Sequence, residues 1–195
     1  MIGELLATGL IGGESFLERI VQFQDYSGVG LLAKLVMDVI VVGCLVAVFA
    51  IDLRKQIIPD RLNFYIFSAG AGYVAILVIG YIFTDMDMSY EGHLWAALVG
   101  RLAGVVLIPG VMLIVNFLVK GAFGGGDVKL AGALAMCYGL FQGGEGLLLG
   151  ILLSGFCGII LLITKVKKLG DSFPLGPFLA VGMIAVVARF WIYKK

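Results

Sequence analysis

The chain consists of long apolar blocks separated by short polar ones. Hydrophobic runs occupy 35–51, 62–83, 94–119, 146–163 and 175–193. A helix rises 1.5 Å per residue, so about 20 mostly apolar residues cross the hydrocarbon layer of a bilayer. All five runs are of about that length. A sixth apolar stretch, 128–140, is too short for a comfortable span. It is expected to form a short or tilted helix, or a re-entrant element buried among the others. The pattern therefore predicts an all-α integral membrane protein of about six transmembrane helices, the fourth of them short or tilted.

Residues 1–30 follow a different rule. Phe16, Leu17, Ile20, Val21 and Gln24 recur at helical spacing, with Glu14, Glu18 and Arg19 among the polar positions. An amphipathic helix lying on the membrane surface is the simplest account, with a half-inserted extension of the first span as the alternative. The expected organisation is thus an N-terminal amphipathic segment over 1–30 and a membrane domain over 31–195.

Composition sharpens this picture. Hydrophobic residues make up 61% of the chain and mean hydropathy is +1.09, whereas soluble domains are roughly 45–50% apolar. A soluble protein this apolar would expose large sticky patches. No Lys or Arg precedes Arg19, while Glu4 and Glu14 do, so the start lacks the basic region of a cleavable signal peptide. A formal net charge of +1 provides no basic stripe for a phosphate backbone, and no nucleic-acid partner is expected. Cys44, Cys137 and Cys157 lie inside apolar runs and form no CxxC pair, which suits small buried hydrophobes better than metal ligands or a disulfide framework. His93, the single histidine, falls in the polar segment 84–93. That argues against a His-ligated metal and against His-based nucleophilic catalysis. No metal and no organic cofactor are expected.

Charge placement sets the orientation. Arg54, Lys55 and Arg61 follow the first span, Lys120 and Lys129 the third, and Lys165, Lys167 and Lys168 the fifth. The opposite side holds Arg19, Lys194 and Lys195, and the acidic segment TDMDMSYEGH at 84–93 carries no Lys or Arg. The positive-inside rule makes the basic side cytoplasmic, in a multi-pass protein of the cytoplasmic membrane with both termini outside.

Two aspartates stand out at the cytoplasmic ends of spans. Asp52 lies in AVFAIDLRKQIIPDRLN, and Asp127 in GAFGGGDVKL. Span parity brings them to the same side and a similar depth. Two neighbouring carboxylates that share one proton can activate a water and polarise a carbonyl, which is the chemistry of peptide hydrolysis. The pair titrates as a unit. If Asp127 opens a helix, the dipole favours its charged form and leaves the proton with Asp52. Gly124, Gly125 and Gly126 allow close backbone approach, so an extended substrate strand fits beside Asp127; as a plain alternative they merely turn a loop. Taken singly, each aspartate also has a bland reading as a solvated interfacial residue. Asp60, after Pro59, is expected to cap the second helix. Asp38, in the outer half of the first span, is expected to snorkel or to be paired, and Arg101 in the third to serve packing or an ion pair.

These residues carry a resemblance. GGGDVKL fits the GxGD signature of intramembrane-type aspartic proteases, and its D-x-K-L extension looks like the prepilin peptidase branch. Asp52, Leu53, Arg54, Ile58, Pro59, Leu62 and Asn63 resemble that family's other block. PLGPFLAVG, from Pro174 to Gly182, is similar to its Pro-Phe-Gly-Pro-Phe-Leu stretch, with Leu175 where Phe is usual. The resemblance covers roughly 35–190. It implies a type IV prepilin leader peptidase, or a relative acting on archaellin-like precursors, that cuts a basic leader at the cytoplasmic border of the lipid bilayer. Asp52 and Asp127 would be the catalytic pair. Gly124, Gly125 and Gly126 would shape the active-site loop with Lys129 beside it, and Pro59, Pro174, Gly176 and Pro177 would be structural members of the motifs. Bifunctional members of the family carry two CxxC pairs and also N-methylate the product; without such pairs, peptidase activity alone is expected here. The competing expectations are a catalytically silent scaffold of a pilus or secretion assembly, and a small transporter with a broken fourth helix. Oligomeric state leaves no mark in the sequence.

Overall fold

A computed structural model describes residues 28–83, 88–119, 121–165 and 174–193. The amphipathic segment expected over 1–30 lies almost wholly outside these residues. Five helices follow in order: α1 Gly28–Lys55, α2 Asp60–Phe83, α3 Met88–Leu118, α4 Gly125–Ile163 and α5 Gly176–Tyr193. No strand occurs among the described residues. Lipid offers no hydrogen bonds to the backbone, so apolar runs of this length close their bonds internally as helices. All five are long and apolar enough to cross a membrane, and the chain is a multi-pass membrane protein.

One boundary differs from expectation. Residues 88–93, assigned from their polarity to the outer loop, instead extend α3 at its start. Hydropathy does not register a polar turn that continues an apolar helix. The short fourth element and the fifth span, expected as separate helices, correspond to the two arms of α4. The arms part at Gly139, whose φ of 75° and ψ of −176° are open in practice only to glycine. A Cβ placed on Gly143 would lie 3.3 Å from Cα of Ala135. Eight residues of continuous helix would separate those positions by about 12 Å. The chain therefore reverses at Gly139, and the first arm is a short helix whose return arm runs beside it.

The arms of α4 form the centre, packed against α2, α3 and α5, while α1 closes the bundle against α2 and α5. Small residues bring backbones close where helices cross, as is usual in membranes. A Cβ on Gly182 of α5 would come within 2.3 Å of the Gly146 carbonyl oxygen on the return arm. Large apolar side chains such as Phe117, Val106 and Ile159 point outward, as a lipid-facing surface requires. Inside, Leu45, Ile66, Leu130, Leu134, Leu179 and Met183 are fully buried.

One polar cluster interrupts this core. The Asp38 carboxylate accepts hydrogen bonds from Lys34 Nζ at 3.1 Å, Tyr138 Oη at 3.0 Å and Trp191 Nε1 at 2.9 Å. Asp38 is thus paired and does not snorkel. The Lys34 ammonium also lies 4.4 Å from the Phe190 ring centre, a cation–π contact. The cluster joins α1, the first arm of α4 and α5 at one level. Arg101 packs over the Tyr73 ring at 5.2 Å and donates to the Ala97 carbonyl at 3.2 Å; packing is the role found for it. Glu145 and Arg189 pair across α4 and α5.

Removing one member of a buried ion pair strands the other charge, whereas removing both does not. Asp38→Ala is expected to lower the unfolding free energy by about 3–5 kcal/mol, and the double change Lys34→Met with Asp38→Leu to recover most of that. Denaturant unfolding in detergent micelles checks this, and a double variant no more stable than Asp38→Ala would contradict it.

Candidate active site

Helix α1 ends one turn beyond Asp52. Its last turn closes with Gln56 N donating to the Asp52 carbonyl at 2.9 Å, and Gln56 itself takes φ = 51°. A non-glycine residue there costs on the order of 1–2 kcal/mol, and it lies one turn from a candidate catalytic carboxylate. The chain then passes without regular structure through Ile57, Ile58 and Pro59 into α2. The Asp52 side chain faces inward, and only 4% of the residue is exposed.

The carboxylate of Asp52 meets the start of α5. Gly176 N donates to Asp52 Oδ2 at 3.0 Å, supplying one of the N–H groups that a helix start leaves without an internal partner. A Cβ on Gly176 would sit 2.7 Å from that same oxygen and 3.1 Å from Cγ. Glycine at this position of PLGPFLAVG is therefore a steric requirement of the carboxylate. Pro177 occupies the first turn, where a missing N–H breaks no helical bond, and Pro174 precedes the helix.

Asp127 lies in the first turn of α4. Its Oδ2 accepts from Gly124 N at 3.1 Å, half of a capping box whose other half glycine cannot supply. A Cβ on Gly124 would be 2.9 Å from that oxygen, and one on Gly126 would be 3.0 Å from Cβ of Ile58. Gly125 has open space where a side chain would project. Of the three glycines, two would carry a side chain into tight contact with Asp127 or Ile58, and the third has open space.

The two segments meet around one cavity of about 630 Å³, lined by both aspartates, by the loops at 56–60 and 121–126, and by Pro174 and Leu175. Ile58 is buried between Gly126 and Gly176 and spaces the three segments. Each aspartate has one oxygen on a backbone N–H at a helix start. The dipole asymmetry expected from Asp127 alone therefore does not separate the pair, because α5 offers Asp52 an equivalent helix end.

Two features were not legible beforehand. Asn116, near the end of α3, clamps the glycine loop: its Nδ2 donates to the Phe123 carbonyl at 2.8 Å and Phe123 N donates to its Oδ1 at 2.9 Å. The only signal was a lone amide inside LIVNFLVKGAFGGGD. Asp60 opens α2 but does not act as the expected cap. Its carboxylate instead holds the Lys129 ammonium at 2.8 and 3.0 Å, because the parallel course of α2 and the first arm of α4 brings their first turns side by side. Lys129 thus pairs across the cavity rim and not with either candidate carboxylate. Among the described residues, no group of His, Cys, Asp and Glu side chains is arranged to hold a metal ion.

The chain is 33% identical over 158 residues to the "Prepilin leader peptidase/N-methyltransferase" of Xanthomonas campestris pv. campestris, covering 78% of this chain and 49% of the relative. To the protein of the same description in Aeromonas hydrophila it is 30% identical over 162 residues, covering 82% and 50%. To that in Bacillus subtilis it is 23% identical over 155 residues, covering 80% and 56%. The chain thus spans about half the length of the curated relatives it matches. No solved structure gives a significant match. The profile of the type IV leader peptidase family matches residues 39–163, which take in Asp52, the glycine loop and Asp127, and the chain belongs to that family.

Proposed function

We propose that this chain is an aspartic endopeptidase that removes the basic leader of type IV prepilin-like or archaellin-like precursors at the cytoplasmic border of the membrane. The observation that carries this reading is the lining of one cavity by Asp52 and Asp127, at the end of one apolar helix and the start of another. Family membership supports the substrate class, and the location suits it. A precursor's hydrophobic segment stays in lipid while its leader reaches the cavity from the basic, cytoplasmic side. Hydrolysis alone is the activity proposed for these residues, which contain no CxxC pair.

The proposed chemistry uses one proton shared by two carboxylates. The ionised aspartate takes a proton from a water whose oxygen attacks the scissile carbonyl carbon. The protonated aspartate gives its proton to the carbonyl oxygen, forming a neutral gem-diol. Collapse of this intermediate breaks the C–N bond, moves a proton to the departing nitrogen and leaves a carboxylic acid and an amine. The backbone N–H groups of Gly124 and Gly176 hold the two carboxylates in place, one oxygen each, and leave the other oxygens free for water and substrate. Open space at Gly125 admits the peptide backbone beside Asp127.

Asp52→Asn and Asp127→Asn keep shape but remove the ionisable group. Each is expected to lower cleavage of a prepilin-like precursor in liposomes by roughly 10²–10⁴-fold while the protein stays folded. Undiminished cleavage by either variant would end the two-aspartate mechanism. A precursor bound but never cut by the wild type would favour a silent scaffold instead. Gly176→Ala puts a methyl group against the Asp52 carboxylate at a helix position that otherwise accepts alanine. Its kcat should fall by roughly tenfold, about 1.4 kcal/mol in activation free energy, with helix content by circular dichroism unchanged. Full activity in that variant would show that the contact does not position Asp52.

A further inference from the structure

The cavity contains a third carboxylate that the proposed hydrolysis does not use. Asp52, Asp60 and Asp127 are the only charged side chains among its described lining residues. Two of them are committed to chemistry, each with one oxygen already on a helix-start N–H. Asp60 stands apart, at the first position of α2. It already demonstrates what it binds: both of its oxygens hold an alkylammonium, that of Lys129.

That pair is built to be exchanged. The side chains of Lys129 and Asp60 are 59% and 71% exposed, and an ion pair this open to solvent contributes little to stability. A second ammonium or guanidinium arriving from the cavity would replace one charge-assisted bond with another, and Lys129 would turn to water on its flexible stem. Asp60 lines the same cavity as Asp52 and Asp127, which places the seat close to the bond to be cut. An extended peptide advances about 3.3–3.6 Å per residue, so only a basic residue within a few positions of that bond reaches it.

We propose that Asp60 seats a basic side chain of the substrate near the scissile bond and that Lys129 occupies this seat when substrate is absent. This rests on the peptidase reading above and assigns recognition within it to one residue. The arrangement makes the two partners act in opposite directions. Asp60 contributes to substrate binding, and Lys129 competes with it. A purely structural strap between the first turns of α2 and α4 would instead fail in the same way when either partner is lost.

Steady-state cleavage of a precursor in liposomes separates the two. Asp60→Asn is expected to raise KM by about tenfold with kcat changed less than twofold, and Lys129→Met to lower KM by two- to threefold. Replacing the basic residues nearest the scissile bond with Gln should raise KM for the wild type but not for Asp60→Asn, since the same contact cannot be lost twice. Asp60→Lys should regain affinity for a precursor whose basic residues are changed to Glu, which guards against reading a folding defect as lost recognition. A shared fall in kcat for Asp60→Asn and Lys129→Met would make the pair a strap and overturn the assignment. So would an unchanged KM in Asp60→Asn on a precursor that the wild type cuts, and in both cases the protease reading would stand. If the wild type cuts no basic-leader precursor, that reading falls and the Asp60 seat falls with it.

Discussion

A carboxylate buried at the end of an apolar helix must find a donor, and the donor Asp52 finds is the first N–H of α5. That bond joins residues 124 positions apart and ties the first described helix to the last. Much of the site follows from it. The donor must be unoccupied by helical bonding, so it comes from a helix start. The contact leaves no room for a Cβ, so the residue is glycine. The same glycine rests on Ile58, whose other side receives Gly126. Placing Asp52 against α5 therefore also places the glycine loop, and with it Asp127.

A second constraint acts at the far end of the bundle. The cluster around Asp38 joins the same three elements, and its members lie at similar helical distances from the cavity. Asp38 is 14 residues from Asp52, Tyr138 is 11 from Asp127 and Trp191 is 15 from Gly176, or about 21, 17 and 22 Å along the helices. Apolar helices in lipid slide past one another at little cost, because one hydrocarbon contact resembles another. Buried polar groups remove that freedom, since a shift of one residue breaks their bonds. The Asp38 cluster and the Asp52–Gly176 bond thus fix the register of α1 against α5 at two levels. The first arm of α4 is held between them.

The cavity combines a tightly packed floor with an exposed, charged rim. Glycine contacts and the Asn116 clamp define the floor around the two carboxylates. The rim carries the exposed Asp60–Lys129 pair, whose charges water screens. Such a division suits the proposed hydrolysis, in which the carboxylates stay in place while a precursor enters.

Much of this protein was determined by its sequence. Apolar runs of about 20 residues leave the backbone no partner but itself, so helices and a membrane location follow from hydropathy alone. Motif spacing and span parity were enough to bring Asp52 and Asp127 to one side, because each crossing reverses direction. Tertiary structure decided what depends on contacts between distant segments. The chain reverses at Gly139 between the two arms of α4, and nothing local distinguishes that glycine from the chain's other 28. The Lys129–Asp60 pair, the Asn116 clamp and the helix-start donor on Asp52 join residues from separate elements. Local pattern reports which residues dislike lipid or water; only the packed bundle decides which polar group each buried one meets.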